Sequence, residues 1–466
     1  MKSETKVKQK TKRAMRRVKR LIPHVVKRRR HESVVVAEKV KDILGQGNVF
    51  ADFTILANKC SAMNLGQGFP SFGSPPFLAS ILNRVTDGDV FQMDWSPPRN
   101  LNHQYTVPGG DPLLTEALSR EYSKRFERIL TPENICTTVG AQEAIFVTLA
   151  SFCNPQDEII VITPAFDSYF KSASVCGLVV KSCPMVCNTE RPDNAGQYRV
   201  DPMSLRAKIN ARTKMLVLNN PSSPLGKVFS KSELIEIANI VKDFPNLIVL
   251  SDEVYEHHVY DEKEHHHIAL GEMWKQTITV FSAGKSFSCT GWRLGYMIGP
   301  HHLIKPIKTL HAAINFSTST VLQKSVAYAF GEGNKISYFR WLSNLLEKKR
   351  NTFCKGLESV NMPYVKPEGG YFVVADASKF YHLAGINEED PSISAQTDLY
   401  DRPDVRFAKW LTTSIGVSPI PMSPFYPPKQ RHLGNKTVRF AFCKDDQTLQ
   451  TAIERLQKLR NPKKIK

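Results

Sequence analysis

The sequence predicts an α/β fold with a mostly parallel central sheet, and two observations support this. From about residue 104 to 330, short apolar runs alternate with amphipathic helical patterns. These runs are apolar throughout rather than alternately polar, which is typical of strands covered by helices on both faces. The predicted strands are residues 158–164, 214–221, 247–255, 277–284 and 294–299.

One helix between two of these strands has a complete start signal. Ser230 is placed to cap it, and Glu233 completes a capping box three residues later. Leu234, Ile237 and Val241 then fall on one helical face. The pattern therefore predicts a helix that begins after Ser230 and packs against the sheet.

The pattern changes beyond residue 330 and predicts a smaller α+β domain. A long helical pattern comes first, two β-rich runs follow, and an amphipathic helix ends the chain; they span residues 336–360, 369–376, 436–443 and 445–460. Phe339, Leu342, Leu346, Phe353 and Leu357 share the buried face of the long helix. The predicted divisions are a tail (1–32), an N-terminal segment of the small domain (33–65), a large domain (66–330) and the small domain (331–466).

Composition excludes several classes of protein. The chain has 466 residues, is 41% hydrophobic, and contains no apolar run long enough for a membrane-spanning helix. Its nine cysteines are scattered, which favours a reducing compartment over zinc sites or a disulfide framework. The run "HHH" at 265–267 stands beside acidic residues, so we expect an exposed polar loop there and no metal site.

Basic residues are concentrated at the N-terminus. Residues 1–32 hold fourteen Lys and Arg against two Glu, which accounts for +12 of the net charge of +19. The segment has too few apolar residues to form a core and is expected to be disordered on its own. Four interpretations remain open: a mitochondrial presequence read by import machinery, a nucleic-acid-binding or nuclear tract, a contact with anionic membrane, or a solvated tail. Location in the cytoplasm or the mitochondrion therefore stays undecided.

Polar residues follow three of the predicted strands. Asn219 ends one strand, Asp252 and Tyr255 follow the next, and Ser282 and Lys285 follow the third. Ligands of open parallel sheets bind at the carboxyl ends of the strands, so these residues together predict a ligand site. The "GKS" at 284–286 is not a nucleotide-binding loop, because that motif requires a glycine where this chain has threonine.

Seven segments of the chain resemble those of a known family. They are "NLGQGFP" (64–70), "QYT" (104–106), "PAFDSY" (164–169), "PLGKVFS" (224–230), "SDEVYEHHVYD" (251–261), "SAGKSFSCTGW" (282–292) and "VRFAFCKD" (438–445). The chain resembles class I aminotransferases of fold type I, which depend on pyridoxal 5′-phosphate. Within that class it is similar to the kynurenine aminotransferases, also known as glutamine transaminase K and cysteine-conjugate β-lyase. The resemblance implies an aspartate aminotransferase-like fold and a homodimer.

The resemblance also implies how the cofactor is bound. Lys285 is the catalytic residue, whose amine forms a Schiff base with the cofactor aldehyde. Asp252 holds the pyridinium nitrogen protonated, Tyr255 binds the ring hydroxyl oxygen, and Phe166 stacks on the ring. The residues implied at the phosphate are Ala141, Gln142, Ser282, Arg293 and, from the other subunit, Tyr105. A helix that begins after Gly140 would add its N-terminal dipole.

The implied substrate site is centred on Arg439, whose planar guanidinium matches a carboxylate. The other residues implied at the substrate are Gly68, Phe50, Asn219 and Phe316, the last from the partner subunit. One cofactor-binding position departs from the family, because Ser223 stands where a second asparagine is usual. Ser317 follows Phe316 where relatives have histidine, and the loop at 90–102 is longer than usual.

The function implied is transfer of an amino group between an aromatic or sulfur-containing amino acid, of the kynurenine, glutamine, phenylalanine or methionine type, and a 2-oxo acid. One alternative is β-elimination from cysteine S-conjugates at the same site. An alternative of another class is a regulatory or nucleic-acid-binding module that uses the basic tail. Asp252, Tyr255, Lys285 and Arg439 are all retained, which favours the enzyme.

Overall fold

The structure is a computed structural model that describes residues 36–37, 39–41, 43, 47–87, 101–387, 394 and 397–460. The basic tail and residues 90–100 of the predicted long loop lie outside the described residues. Within the described part of the chain, no helix combines the length and the apolar character needed to span a membrane.

Thirteen α-helices are numbered here in chain order among the described residues. They are α1 (Val49–Lys59), α2 (Pro76–Asp87), α3 (Pro112–Arg125), α4 (Gly140–Phe152), α5 (Asp167–Val175), α6 (Pro202–Lys208), α7 (Lys231–Lys242), α8 (Ala283–Ser286), α9 (His301–Asn315), α10 (Thr320–Lys335), α11 (Tyr338–Ser359), α12 (Pro403–Trp410) and α13 (Asp446–Leu456).

Fifteen strands are described. They are β1 (Met63–Asn64), β2 (Ile135–Thr138), β3 (Glu158–Thr163), β4 (Val179–Pro184), β5 (Val186–Cys187), β6 (Tyr198–Arg199), β7 (Thr213–Asn219), β8 (Ile248–Asp252), β9 (Thr277–Ser282), β10 (Gly295–Ile298), β11 (Tyr364–Val365), β12 (Phe372–Asp376), β13 (Val417–Ser418), β14 (Ile420–Pro421) and β15 (Thr437–Ala441).

The central sheet has seven strands in the order β2-β10-β9-β8-β7-β3-β4. Only β10 runs antiparallel to its neighbours in this sheet. All five predicted strands are present, each ending within a few residues of the predicted bound. Strands β2 and β4 were not predicted, because their runs are short and mix apolar residues with Thr, Ser or Lys.

Both faces of the central sheet are buried, as the sequence predicts. Along β3, Ile160 and Ile162 pack in one hydrophobic cluster, whereas Ile159 and Val161 pack in another. Successive side chains of a strand point to opposite faces, so the two clusters cover opposite sides of the sheet. Helix α7 begins at the predicted capping box of Ser230 and Glu233.

A second sheet of four strands has the order β11-β12-β15-β14 and is antiparallel. Helices α11 and α13 lie where the sequence predicts them, and β1 pairs with β13 across more than 350 residues of chain. The predicted domain boundaries at residues 33, 66 and 331 stay a prediction.

The prediction of an exposed polar loop at 265–267 is wrong. His265 and His267 have side chains only 9% and 8% exposed, and both face the carboxylate of Glu253. Glu253 follows Asp252 in the chain and is also buried. Because a buried carboxylate needs hydrogen-bond donors, Ser251 and His267 bind its two oxygens. The ligand atoms of the three groups lie within 4.8 Å of one another. Of the two rings, His267 hydrogen-bonds to Glu253, whereas a ring nitrogen of His265 lies 3.1 Å from the Asn220 carbonyl oxygen.

Candidate active site

Strand register brings the predicted polar residues to one edge of the central sheet. Asn219 at the end of β7 pairs with Asp252 at the end of β8, and the Asn219 amide donates to the Asp252 carbonyl oxygen at 2.8 Å. Strand β9 ends at Ser282, and the short helix α8 immediately presents Lys285. The geometry therefore confirms that these residues share one edge.

The Lys285 amine is enclosed by backbone and by aromatic rings. Its Nζ donates to the Gly68 carbonyl oxygen at 2.8 Å and lies 5.4 Å and 5.1 Å from the ring centroids of Tyr255 and Tyr371. Burial lowers the pKa of Lys285 to about 8. A substantial fraction of this amine is therefore neutral near physiological pH, which both a nucleophile and a base require.

Asp252 is a buried carboxylate with a tyrosine partner. The Tyr169 hydroxyl donates to Asp252 Oδ2 at 2.6 Å, and the Val254 amide donates to Oδ1 at 3.3 Å. Burial raises the pKa of Asp252 to about 6, although the Tyr169 hydrogen bond opposes this rise. A cationic N–H group placed against this carboxylate would favour its charged form. Asp252 can therefore hold a proton on a heterocyclic nitrogen.

A cradle for an anion lies at the start of helix α4. Strand pairing places Gly295 between Thr138 and Ser282, one on each side. A Cβ atom on Gly140 would lie 2.6 Å from the Arg293 guanidinium, and one on Gly295 would lie 2.6 Å from the Ala141 nitrogen. Gly295 thus lets β10 pack against the start of α4, and Gly140 lets the Arg293 guanidinium lie against the same helix N-terminus. A helix N-terminus beside an arginine fits a phosphate.

Arg439 is a buried cation surrounded by aromatic rings. It is 2% exposed, and its guanidinium carbon lies 3.7 Å from the Phe372 ring centroid, 4.7 Å from that of Phe425 and 5.5 Å from that of Phe50. Burial lowers its pKa to about 10. Its Nη2 donates to the Gly66 carbonyl oxygen at 2.9 Å, whereas Nε has no hydrogen-bond partner in the described part of the chain.

Arg439 has no ion-pair partner among the carboxylates of the described residues. A buried charge is normally paired, since an unpaired one is costly to desolvate. The unpaired guanidinium and its orphan Nε–H therefore point to a carboxylate supplied by a small molecule. Arg439 and Phe50 lie close together, and their predicted role at the substrate stays a prediction.

Ser223 lies beside Asn219, as the motif predicts. The Ser223 backbone amide donates to Asn219 Oδ1 at 2.6 Å, and the residue is only 7% exposed. Both polar ends of the Asn219 side chain are thus fixed, one by Ser223 and one by Asp252. The shorter serine side chain supplies one hydroxyl where an amide would supply two donors and an acceptor.

We expect Ser223→Asn to raise kcat/KM for the amino-group transfer that the sequence resemblance implies, because an amide restores one hydrogen bond to a charged group. Such a bond contributes about 1.5–3 kcal/mol, roughly ten- to a hundredfold. Steady-state kinetics with the best amino donor measures the effect, and Ser223→Ala is the matched control, with an expected fall. A lower kcat/KM for Ser223→Asn at unchanged cofactor affinity would show that serine is fitted to this enzyme's own substrate.

Two predicted residues lie apart from the others within one chain. Tyr105 is 85% exposed and Phe316 is 49% exposed, and their rings contact each other edge to face at 5.3 Å. Phe166 precedes α5 and packs against Tyr169, the partner of Asp252, whereas Gln142 is exposed in the first turn of α4. The chain therefore places most of the predicted site residues together and leaves the Tyr105–Phe316 pair on the surface.

Tyr169 and Tyr371 contact the site but were not predicted as site residues from the sequence. Tyr169 ends the recognised segment "PAFDSY", so its motif gave a signal. Tyr371 gave none, because it precedes β12 in the other sheet and only the tertiary structure brings its hydroxyl to the Lys285 carbonyl oxygen, 3.4 Å away. These two tyrosines fix the positions of the Asp252 carboxylate and the Lys285 backbone.

Comparison with known proteins identifies relatives over nearly the whole described chain. The family model described as aminotransferase class I and II matches residues 61–456. A kynurenine–oxoglutarate transaminase of Dictyostelium discoideum is 38% identical over 423 residues, which cover 89% of this chain and 94% of the relative.

Solved structures give the same result. The crystal structure of Bna3p from Saccharomyces cerevisiae matches with a TM-score of 0.83 and 32% identity, over 92% of this chain and 100% of that one. YbdL from Escherichia coli, which has a methionine aminotransferase function, matches with a TM-score of 0.76 and 25% identity over 91% of this chain and 100% of its own.

Proposed function

Since the chain belongs to the aminotransferase class I and II family, we propose that it transfers an amino group between an aromatic or sulfur-containing amino acid and a 2-oxo acid. The fold is that of the aspartate aminotransferases, and the enzyme class predicted from the sequence is confirmed. Kynurenine and 2-oxoglutarate are the first substrates to consider, because relatives at 38% and 34% identity are kynurenine–oxoglutarate transaminases. Methionine is the sulfur-containing candidate.

The observation that carries this proposal is the unpaired Arg439 among three phenylalanine rings. An α-amino acid has a carboxylate for the guanidinium, and an apolar side chain can pack on Phe50 and Phe425. The rings also exclude water from the guanidinium, which strengthens its attraction for a carboxylate. The arrangement favours donors with aromatic or thioether side chains over charged ones.

Members of this family depend on pyridoxal 5′-phosphate, and the residues present fit that group. We infer that Gly140, Ala141, Ser282 and Arg293 hold the phosphate, because the N-terminus of α4 and the Arg293 guanidinium lie together at the edge of the sheet where β9 ends. Asp252 would hold the proton on the ring nitrogen. When bound, the cofactor supplies an aldehyde that bonds to amines and a ring that withdraws electrons.

The chain's own residues then perform three tasks. Lys285 supplies a partly neutral amine that can take the proton from the substrate α-carbon and return it. Arg439 fixes the carboxylate and so orients the α-carbon toward that amine. Tyr169 donates to the Asp252 carboxylate and Asn219 donates to the Asp252 backbone carbonyl oxygen, so both the side chain and the backbone of Asp252 are held in position.

A substrate screen tests the proposed function. Purified protein with added pyridoxal 5′-phosphate would be incubated with kynurenine, phenylalanine, methionine, glutamine or aspartate, each with 2-oxoglutarate, pyruvate or a longer 2-oxo acid. Formation of the new amino acid is measured by chromatography. We expect turnover with aromatic and sulfur-containing donors and little with aspartate. Turnover with aspartate alone would contradict the proposed substrate class.

We further propose a homodimer in which the partner subunit's Tyr105 completes each site. The proposal is supported by the exposure of Tyr105 and Phe316, since two large aromatic side chains in contact on a surface indicate an interface. Val107 and Ile314, nearby in the chain, are 55% and 47% exposed and extend the apolar character of this region.

Mixing two inactive variants tests the shared site. Tyr105→Ala and Lys285→Ala homodimers are each expected to have little activity, and co-refolding them should restore it. The mixed dimer has one site that combines an intact Lys285 with an intact Tyr105 from the other subunit. Light scattering on the wild type should give the mass of two chains. An active monomer, or mixtures no more active than their parents, would contradict the shared site.

A further inference from the structure

Four consecutive backbone carbonyl groups beside the site accept hydrogen bonds from three cationic side chains, of which Arg439 and Lys444 are buried. These groups belong to residues 66–69, named here the carbonyl segment. Arg439 donates to the Gly66 oxygen at 2.9 Å, and Lys285 donates to the Gly68 oxygen at 2.8 Å. Lys444 donates to the other two, Gln67 at 3.0 Å and Phe69 at 2.8 Å. Three cations thus fix one short stretch of backbone.

The three cations differ in what else they must do. In the proposed function, on which this inference rests, Lys285 reacts with the cofactor and the substrate proton, and Arg439 takes the substrate carboxylate. Both therefore have competing partners during each turnover. Lys444 has no such task. Its ammonium donates hydrogen bonds to the carbonyl segment and contacts the Phe69 ring, whose centroid lies 4.1 Å away.

Lys444 is an unusual lysine in its surroundings. It is 2% exposed, and it has no ion-pair partner among the described residues. Burial lowers its pKa, as expected for an ammonium that backbone oxygens alone compensate. A lysine is rarely buried without a carboxylate, so its two carbonyl partners account for its position.

The surrounding backbone keeps Lys444 in register with the carbonyl segment. The Ala441 amide donates to the Leu65 oxygen at 2.6 Å, and the Ser71 amide donates to the Cys443 oxygen at 3.3 Å. Residues 441–445 therefore run beside residues 65–71, and the Lys444 ammonium reaches the Gln67 and Phe69 carbonyl oxygens. A Cβ on Gly68 would lie 2.4 Å from the Phe372 ring, so this backbone closely lines the space next to Arg439.

We propose that Lys444 is a positioning residue that holds the carbonyl segment against the substrate site while Lys285 and Arg439 are engaged elsewhere. It contacts no reacting atom. It acts by keeping the Gly68 backbone at the distance the substrate requires. Its loss should therefore weaken substrate binding far more than it slows the chemical step.

Kinetics of Lys444→Met measures this effect. The variant keeps the length and bulk of the chain but removes the charge and both hydrogen bonds. We expect KM for the amino donor to rise about ten- to a hundredfold, with kcat within about threefold of the wild type. The reason is that the carbonyl segment, which borders the substrate, loses two hydrogen bonds from a charged group. Lys444→Arg retains two donors and should recover most of the affinity.

The matched control is Lys227→Met. Lys227 is 1% exposed, and its ammonium lies 2.8 Å from a Glu233 carboxylate oxygen and 5.0 Å from the Phe229 ring centroid, so it is an equally buried lysine whose side-chain contacts lie outside residues 65–72. We expect this variant to lose stability without a selective rise in KM. Equal rises in KM for the two Met variants, or a fall in kcat with unchanged KM for Lys444→Met, would overturn the positioning role.

Amide hydrogen exchange provides a readout that does not depend on turnover. Peptides covering residues 65–72 are followed in wild type and in Lys444→Met, each before and after loading with pyridoxal 5′-phosphate. Loading with the cofactor should accelerate amide exchange of residues 65–72 in Lys444→Met but not in the wild type. Loading removes the Lys285 hydrogen bond to the carbonyl segment in both proteins, and only the wild type keeps the hydrogen bonds from Lys444. Unchanged exchange in the loaded variant would overturn the proposal. If Lys444→Met fails to fold, the same comparison with Lys444→Gln decides.

The two proposals can fail separately. If the wild type transaminates no aromatic or sulfur-containing donor, the proposed substrate class fails, and exchange in residues 65–72 still tests Lys444. If the wild type is active and both KM and exchange of the Lys444 variants match it, the positioning role fails and the proposed function stands.

Discussion

Replacing Lys285 with alanine is expected to reduce turnover by about 10³-fold or more, because the chain then lacks both its nucleophile and its general base. The Nζ atom is held by the Gly68 carbonyl between two tyrosine rings, and the described residues offer no second lysine amine in that enclosure. Steady-state kinetics measures the loss of turnover. Peptide mass spectrometry after borohydride reduction with the cofactor measures the loss of covalently bound cofactor at residue 285.

Lys275→Ala is a suitable control for that experiment. Lys275 is 69% exposed and pairs only with Glu272, three residues away in the chain. Its replacement should leave activity and reducible cofactor unchanged. If Lys285→Ala still carries cofactor fixed by borohydride, or retains most of its turnover, another lysine performs the reaction and the assignment of Lys285 is wrong.

The same amine predicts a pH dependence. Burial lowers the pKa of Lys285 to about 8, so its neutral fraction increases as the pH rises through that value. The rate at which added pyridoxal 5′-phosphate becomes fixable by borohydride should increase over this range and level off above it. A rate that is constant between pH 7 and 9 would contradict a titrating amine.

Replacing Arg439 with methionine is expected to lower kcat/KM by about a hundredfold or more, since a bidentate charged contact with the substrate carboxylate is lost. Most of the loss should be in KM. Arg439→Lys keeps the charge but not the planar fork, and we expect it to recover only part of the affinity. An amine substrate that lacks the carboxylate should be equally poor with all three proteins.

Stability should respond quite differently to Arg439→Met. Loss of a buried, unpaired charge offsets loss of the ring contacts and of the hydrogen bond to Gly66, so the melting temperature of the cofactor-free protein should change little. Thermal denaturation followed by circular dichroism measures it. A large fall in melting temperature would mean that Arg439 mainly supports the fold, and its kinetic effect would then not identify a substrate contact.

Local sequence determined the elements and much of the site. The apolar runs specify strands buried on both faces, and the capping box of Ser230 and Glu233 specifies the start of α7, because both signals depend on neighbouring residues. Asn219, Asp252 and Lys285 could be placed together in advance, since parallel strands bring their carboxyl ends to one edge. The resemblance to the aminotransferases then implied the chemistry.

Long-range packing decided the rest, because the partners are far apart in the chain and no local pattern encodes their meeting. The sequence of residues 265–267 predicts a solvated loop, yet His267 is buried because its ring hydrogen-bonds to the Glu253 carboxylate. Tyr371 reaches Lys285 only because the second sheet packs there. Lys444 is one more basic residue in the sequence. Only the folded chain lays residues 441–445 beside residues 65–71 and so makes Lys444 a donor to two carbonyl groups. The same packing buries the Arg439 guanidinium where no carboxylate of the described residues pairs with it.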